Sequence, residues 1–389
     1  MELTSQLEDI SFSDFGGYFQ GKKVLVTGHT GFKGSWLSLW LIQLGAKVSG
    51  LALDPPTSPN NYELCKLSEL LMDDLRIDIR DRSLVASAIA RIQPDIIFHL
   101  AAQPIVAYGV DNPFETFEIN AMGTASVLDA VRVLGRSCVV VIVTSDKCYQ
   151  NTETPAGYSE TDPLGGSEPY GASKAAAEIV TNAYRETYFS SSTNNVGPVA
   201  VASVRAGNVI GGGDWSPHRI LPDIVSSLSK GDPITLRSPY SVRPWQHVLV
   251  PLSGYLLLAA RMLSSNSSQL FSSSWNFGPH PEGLITVKQV ADKAIELWSS
   301  GNWVQIENSY AAHETKLLTL RVDKASQELG WRPRWNFELT MKHTIAWYLE
   351  FHRRGRGTEM RDQCLGDIEA FVRVRTEEEE VCNNLIPVR

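Results

Sequence analysis

Two short polar stretches hold the residues whose types and spacing fit proton chemistry. The first follows the run Val139–Val143 and reads Thr144, Ser145, Asp146, Lys147. Five consecutive β-branched residues read as a strand buried on both faces of a parallel sheet. The four polar side chains then stand at its carboxyl end, where open α/β sheets bind their ligands. The second stretch is Pro169-Tyr170-Gly171-Ala172-Ser173-Lys174, heading an Ala- and Glu-containing segment. Tyr170 and Lys174 are four residues apart, so a helix places both on one face. A free phenol titrates near pH ~10 and is only about 0.1% phenolate at neutral pH. A lysine ammonium beside it is expected to lower that value by roughly 1–3 units, which would make Tyr170 a base for a hydroxyl proton. A lone Y-x-x-x-K is common on exposed helix faces. Its weight here comes from the polar strand end before it and a glycine pattern near the amino terminus.

Those residues need a sheet to hold them. The run KVLVT at 23–27 leads into Gly28-His29-Thr30-Gly31-Phe32-Lys33-Gly34, then into a segment whose Trp36, Leu37, Trp40, Leu41 and Leu44 recur at helical spacing. Gly45 closes that helix and KVSGLAL reads as a second strand. Strand, glycine loop, helix, strand is the context in which a glycine pattern points to a dinucleotide: the loop lets the backbone approach a pyrophosphate, and the helix terminus offers N–H groups. Asp54, 20 residues after Gly34, stands where a carboxylate bonds the adenosine ribose and favours NAD over NADP. Pro55 and Pro56 follow it, so a turn aspartate is the competing reading, and NADP stays open. Leu75–Ile79 reads as a strand whose end, Asp78 and Ile79, would meet an adenine. Arg82–Arg91 reads as a helix. Pro94–Leu100 reads as a buried strand, and Leu100, Ala101, Ala102 and Gln103 would let a cofactor pass close to its end. His99 fits a core histidine. Asn120 opens a helical segment, as a cap or as a group orienting the site from beneath. The fold expected is α/β, a doubly wound parallel Rossmann-type sheet with a smaller C-terminal lobe. Its parts would be an N-terminal extension (1–20), a dinucleotide-binding domain (21–205, with later segments returning to it), a substrate lobe (206–355) and a tail (356–389).

In the lobe, Gly207 to Trp215 forms a glycine loop containing Asn208, Asp214 and Trp215, and Arg219, Arg237, Arg243 and His247 follow. Glycine backbone with arginine forks suits a diphosphate ester, so a second phosphate-bearing ligand is expected, with Gln103 reaching it from the sheet. A net charge of −8 argues against nucleic acid or an anionic membrane as partner. Glu377 to Glu380 read as a solvated end. The five cysteines are widely spaced with no C-x-x-C pair, which predicts a reducing compartment and no metal site. Cys148 reads as a passive thiol. No stretch resembles a secretory signal or approaches the ~18 apolar residues of a membrane span, so a cytoplasmic protein is expected.

GHTGFKG at 28–34, HLAAQ at 99–103, TSDKCY at 144–149 and PYGASK at 169–174 together resemble the extended short-chain dehydrogenase/reductase family. AGNVIGGGDW at 206–215, RPWQHV at 243–248 and the late LGWRP narrow the resemblance to the CDP-glucose branch of its nucleotide-sugar 4,6-dehydratases, over roughly residues 20–350. The resemblance implies NAD as cofactor, CDP-glucose as substrate, and a homodimer or dimer of dimers built on the helix carrying Tyr170. It implies that Tyr170 takes the proton of the sugar C4 hydroxyl. Lys174 would hold the tyrosine and the nicotinamide ribose, Ser145 would bond the same hydroxyl, and Thr144 and Asn120 would line the cofactor. Asp146 would protonate the departing C6 hydroxyl. Lys147 stands where related dehydratases carry a glutamate base, so it acts either as a base with a lowered pKa or as a cation stabilising an enolate. Another nucleotide-sugar dehydratase or a 4-epimerase would use the same tyrosine and lysine, although an epimerase has no need of the Asp146/Lys147 pair. A dinucleotide-sensing regulator would ordinarily have lost them.

Overall fold

The computed structural model describes residues 15–190, 198–264, 268–279, 284–306, 317–355 and 357–374. Its centre is a parallel sheet of β1 (Lys23–Thr27), β2 (Lys47–Ala52), β3 (Asp73–Arg76), β4 (Ile96–His99), β5 (Cys138–Val143), β6 (Val199–Ala206) and β7 (Ser274–Phe277), in the order β7-β6-β5-β4-β1-β2-β3. Every residue of β4, β5 and β6 is buried, as their unbroken apolar runs require of strands covered on both faces. The order reverses between β1 and β4, which pair directly, with Thr27 opposite His99. A crevice therefore opens at the carboxyl ends of these two strands.

Helices cover both faces. On one lie α1 (Phe32–Gln43) and, later in the chain, α6 (Leu249–Ser264), packed with Val24, Val26, Val141 and Trp275. On the other lie α2 (Arg82–Ile92), α3 (Gly123–Arg132) and α4 (Pro169–Tyr184), around Leu25, Ile97, Val140 and Val201. The lobe has its own core, in which α5 (Ile220–Lys230), α7 (Val287–Trp298) and α8 (Phe337–Arg354) pack about Leu221, Ile224, Trp245 and Ile345.

Several boundaries differ from expectation. The third strand is Asp73–Arg76 and ends before Asp78. Asn120 opens nothing, because Pro113–Phe117, the π turn Glu118–Met122 and α3 run on as one helical stretch, and Asn120 lies within the π turn. Phe15 and Phe19, assigned to an extension, are fully buried in the core beside Trp40. Asn276 and Phe277, read as part of the lobe, belong to the seventh strand of the central sheet. The assigned tail forms α9 (Arg361–Arg373), whose Cys364, Ile368 and Phe371 pack into the main core, with Cys364 Sγ 3.7 Å from Cys65 Sγ. Glu377–Glu380 lie outside the described residues.

Candidate active site

The glycine loop is shaped by close backbone approaches. Gly28 turns at φ +76°, and a Cβ there would stand 2.7 Å from the amide nitrogen of Ala101, so the loops after β1 and β4 nearly touch. A Cβ on Gly34 would stand 2.1 Å from the Gly28 carbonyl oxygen, which lets α1 begin hard against the loop. Gly31, the N-cap, supplies no side-chain cap to α1. Its first-turn N–H groups are thus suited to an external anion, and the cradle fits the diphosphate of a dinucleotide. Thr30 Oγ1 donates to the Leu53 carbonyl at 3.0 Å, drawing the end of β2 and exposed Asp54 to the rim. The His29 side chain leaves the crevice. It is fully buried against Gly50 and bonded through Nε2 to Asp74 at 2.7 Å, so only its backbone remains for a cofactor. Asp78 and Ile79 follow β3; Asp78 pairs with Arg80, and Ile79 packs against Gly123 of α3. His99 is a core histidine between the hydroxyls of Thr27 and Thr124, held neutral by burial that lowers its pKa to about 3.

Across the crevice the strand end and α4 meet. Glu168 caps α4 by accepting the N–H groups of Tyr170 (2.7 Å) and Gly171 (2.8 Å), which fixes the turn carrying the tyrosine. The Tyr170 phenol is buried on the side of the strand end that carries Ser145, whose hydroxyl pulls its pKa down. Ser145 Oγ in turn donates to Asp146 Oδ1 at 3.0 Å and accepts the Lys147 N–H at 3.2 Å. Lys174, buried one turn along α4, donates to the Val143 carbonyl at 3.3 Å. The expected depression of the phenol is not what this arrangement produces. Burial pushes the Tyr170 pKa up to about 12, against the lowering pull of Ser145, with Asp146 adding to the rise. The same burial draws Lys174 down to about 8, against Glu178. Desolvation of the charged form outweighs attraction at this depth.

Asp146 is the most constrained group of the set. It is buried, its Oδ2 has no hydrogen-bond partner, and burial raises its pKa in spite of Lys147, the Ser145 hydroxyl and Lys33. A Cβ on Gly207 would come within 3.0 Å of that Oδ2, so the lobe's glycine loop closes directly over it. Lys147 is half-buried beside it. Lys33, read from the sequence only as part of the glycine loop, has its pKa drawn down to about 7 by burial and by Arg219 and Lys174, with Asp146 opposing.

A buried frame outside the sequence motifs supports these groups. Glu178 accepts from Thr144 Oγ1 (2.5 Å) and Ser203 Oγ (2.6 Å) and pairs with Arg205 at 2.8 Å. Tyr170, Lys174 and Glu178 recur at intervals of four, so the spacing itself was the available signal. Asn120 accepts the Gln103 N–H at 2.8 Å and donates to Ser173 Oγ at 2.8 Å, joining the loop after β4 to α4. That is the orienting alternative rather than the cap. Gln103, expected at the ligand, spends its side chain on Thr116 (2.9 Å) and the Ile105 N–H (2.5 Å).

On the lobe side, Asp214 is buried and pairs with Arg219 at 3.2 Å, and that arginine acts on both Lys33 and Tyr170. Asn208 accepts the Gln246 N–H through its carbonyl at 3.0 Å, and Arg243 is half-buried on a short strand paired with Leu284–Thr286. Three expectations change. His247 is fully buried between Trp36 and Trp335, out of a ligand's reach, because its segment dives under the loop into the core. The Trp215 ring packs edge-on against Trp347, Tyr348 and Phe351. Arg237 is exposed and acts on Asp223 of α5, and among the described residues no contact ties it to Ser145, Asp146 or Tyr170.

Residues 25–248 match the family model described as GDP-mannose 4,6 dehydratase. The chain is 46% identical over 332 residues to the CDP-glucose 4,6-dehydratase of Salmonella typhimurium, spanning 85% of this chain and 91% of that one. Among solved structures it resembles a dTDP-glucose 4,6-dehydratase from Streptomyces venezuelae with NAD bound (TM-score 0.70, 26% identity, 85% and 98% of the two chains). It also shares its fold with a UDP-glucose 4-epimerase from Thermotoga maritima (TM-score 0.70, 20% identity, 84% and 98%).

Proposed function

The chain belongs to the GDP-mannose 4,6-dehydratase family, and on that premise we propose that it is an NAD-dependent hydro-lyase converting CDP-glucose to its 4-keto-6-deoxy product. Relatedness to the Salmonella enzyme over most of both chains supports the substrate. The observation that carries the chemistry is Asp146, a carboxyl buried under the Gly207 loop beside Ser145 and Tyr170, with Oδ2 left without a hydrogen-bond partner and with burial raising its pKa toward the acid form. Elimination needs such an acid, whereas epimerisation at C4 does not.

Bound NAD would accept the C4 hydride and later return it to C6. Tyr170, held in place by the Glu168 cap, would take the proton from the C4 hydroxyl as its phenolate, a form that the positive charge of a bound nicotinamide would favour against the burial that raises the phenol. Lys174 sets the charge behind it. Oxidation at C4 acidifies the C5 proton, and Asp146 gives its own proton to the departing C6 hydroxyl. Lys147 removes the C5 proton or stabilises the enolate as a cation, and Lys33 and Arg219 face the diphosphates. Asp54 meets the adenosine ribose, with Leu100, Ala101 and Ala102 beside the cofactor's path.

Phe114 (76% exposed), Met122 (60%) and Ile179 (60%) lie on the packed helical stretches 113–132 and 169–184. Such bare apolar side chains support a dimer through this face. Among the described residues no helix is long and apolar enough to cross a membrane; with free cysteines throughout the core, a cytoplasmic setting fits.

The test is proton NMR of the purified chain with CDP-glucose in heavy water, with UDP-, GDP- and dTDP-hexoses in parallel. A 6-deoxy methyl signal with deuterium at C5, from CDP-glucose alone, is expected. Inversion at C4 without a methyl signal would make the enzyme an epimerase, and a methyl signal from another nucleotide would move the substrate.

A further inference from the structure

The adenosine end of the cofactor crevice carries an arginine that the proposed reaction does not use. Arg76 is the last residue of β3, in register with Ala52 at the end of β2. Its Nε donates to Asp54 Oδ1 at 3.0 Å, and its fork reaches Asp74 on one arm and the Tyr62 hydroxyl at 2.9 Å on the other. The guanidinium also lies over the Tyr62 ring, 5.2 Å from its centroid. Asp74 is held from behind by His29 of the glycine loop, whose ring fits only because residue 50 is glycine. Asp54 is 89% exposed at the rim, and Thr30 of the same loop bonds the carbonyl immediately before it.

In this class of sheet the ribose of a dinucleotide sits at the end of β2. A carboxylate there accepts the 2′-hydroxyl of NAD, and an arginine accommodates the 2′-phosphate of NADP. This chain has both, with the arginine closed by two carboxylates. With His29 neutral, the cluster of Asp54, Asp74 and Arg76 carries one net negative charge, which repels a phosphate. We propose that Arg76 is a latent 2′-phosphate site, and that Asp54 enforces NAD selectivity by occupying it as well as by receiving the ribose. Releasing Asp54 frees the outward-facing edge of the guanidinium and brings the cluster to neutrality, while Asp74 and Tyr62 still hold the arginine in place. The inference rests on the glycine loop being the NAD site.

The experiment is direct binding of NAD and of NADP to the full chain, by isothermal titration calorimetry, for wild type, Asp54→Asn, Arg76→Met and the double variant. Methionine keeps the arginine's apolar stem over Tyr62, and far-UV circular dichroism checks that each variant is folded. Wild type is expected to prefer NAD strongly. Asp54→Asn should narrow the NAD/NADP ratio at least tenfold by gaining NADP affinity, with a gain that weakens as salt rises, and Arg76→Met in that background should remove the gain. An Asp54→Asn variant that binds NAD but gains nothing for NADP overturns the clamp alone, as does a gain that survives loss of Arg76. A wild type that binds neither dinucleotide overturns the cofactor reading and the clamp with it.

Discussion

At the scale of single residues, depth governs the site. Tyr170 is buried and its phenol is pushed up to about 12, so the phenolate proposed as base depends on a positive charge brought in with the cofactor. Tyr170→Phe should lower turnover by about 10²- to 10⁴-fold, the usual worth of a positioned acid–base group, while nucleotide affinity measured by titration stays within a few-fold of wild type. Asp146→Asn keeps the side chain's shape but removes the acid. It should oxidise C4 and then stall, seen as a build-up of reduced-nicotinamide absorbance in a single turnover. Lys147→Ala should stall at the same stage if the lysine is the C5 base, and product at the wild-type rate would remove it from that role. Lys33, drawn down to about 7 by burial, and Lys174, at about 8, are partly neutral at pH 8. A bound diphosphate favours their charged forms, so dinucleotide binding at pH 8 should take up protons, and Lys33→Met should abolish part of that uptake. Calorimetry in buffers of different ionisation enthalpy reads it directly. The same shifts carry a sign for stability. Between about pH 7 and the ordinary lysine value of 10.5 the unfolded chain binds more protons at these positions than the folded one. Their contribution therefore grows as pH rises through that window and is lost as pH falls back toward 7.

At the scale of elements, backbone approaches do what side chains cannot. The junction of β1 and α1 works because Gly34 leaves the Gly28 carbonyl uncrowded. Gly34→Ala would place a carbon 2.1 Å from that oxygen, and neither backbone can yield without opening the loop. The variant should bind NAD at least tenfold more weakly and lose about 1–3 kcal/mol of stability, the usual cost of overpacking, read by titration and by thermal unfolding. The strand and helix order, the glycine loop and the strand end at Thr144 were legible because each rests on local periodicity and glycine spacing. The boundaries that moved were those where tertiary contacts override local pattern. Asn120 reads as the start of a helix by composition, yet its side chain is drawn into a bridge between Gln103 and Ser173 in the middle of one. Asp73 and Asp74 read poorly as strand. They pair along β2 because Ser49, Arg91, His29 and Arg76 receive their carboxylates.

At the scale of the whole molecule, segments distant in sequence finish the fold. β7 and α6 return to the Rossmann layers after the chain has entered the lobe, and α9 closes over α1 through Phe371 and Trp40. The exposed apolar side chains of Phe114, Met122 and Ile179 are where the proposed dimer can be tested. If the proposed dimer forms through this face, wild type should run at twice the chain mass in light scattering coupled to size exclusion and Ile179→Glu at the single mass with the far-UV spectrum unchanged, whereas an unshifted mass would move the interface elsewhere and a monomeric wild type would remove it.

From the chain alone came the doubly wound sheet, the dinucleotide loop and the placing of Ser145, Asp146, Tyr170 and Lys174, because strand runs, glycine spacing and i,i+4 intervals are local properties. Only the tertiary structure decided which of the later motif residues meet the site. His247, Trp215 and the Gln103 side chain turn inward, while Lys33, Glu178 and Arg205 converge on or beneath Asp146, Tyr170 and Lys174. It also decided the protonation of those groups, since burial and the charges brought beside it shift a pKa, and neither is written in the order of residues.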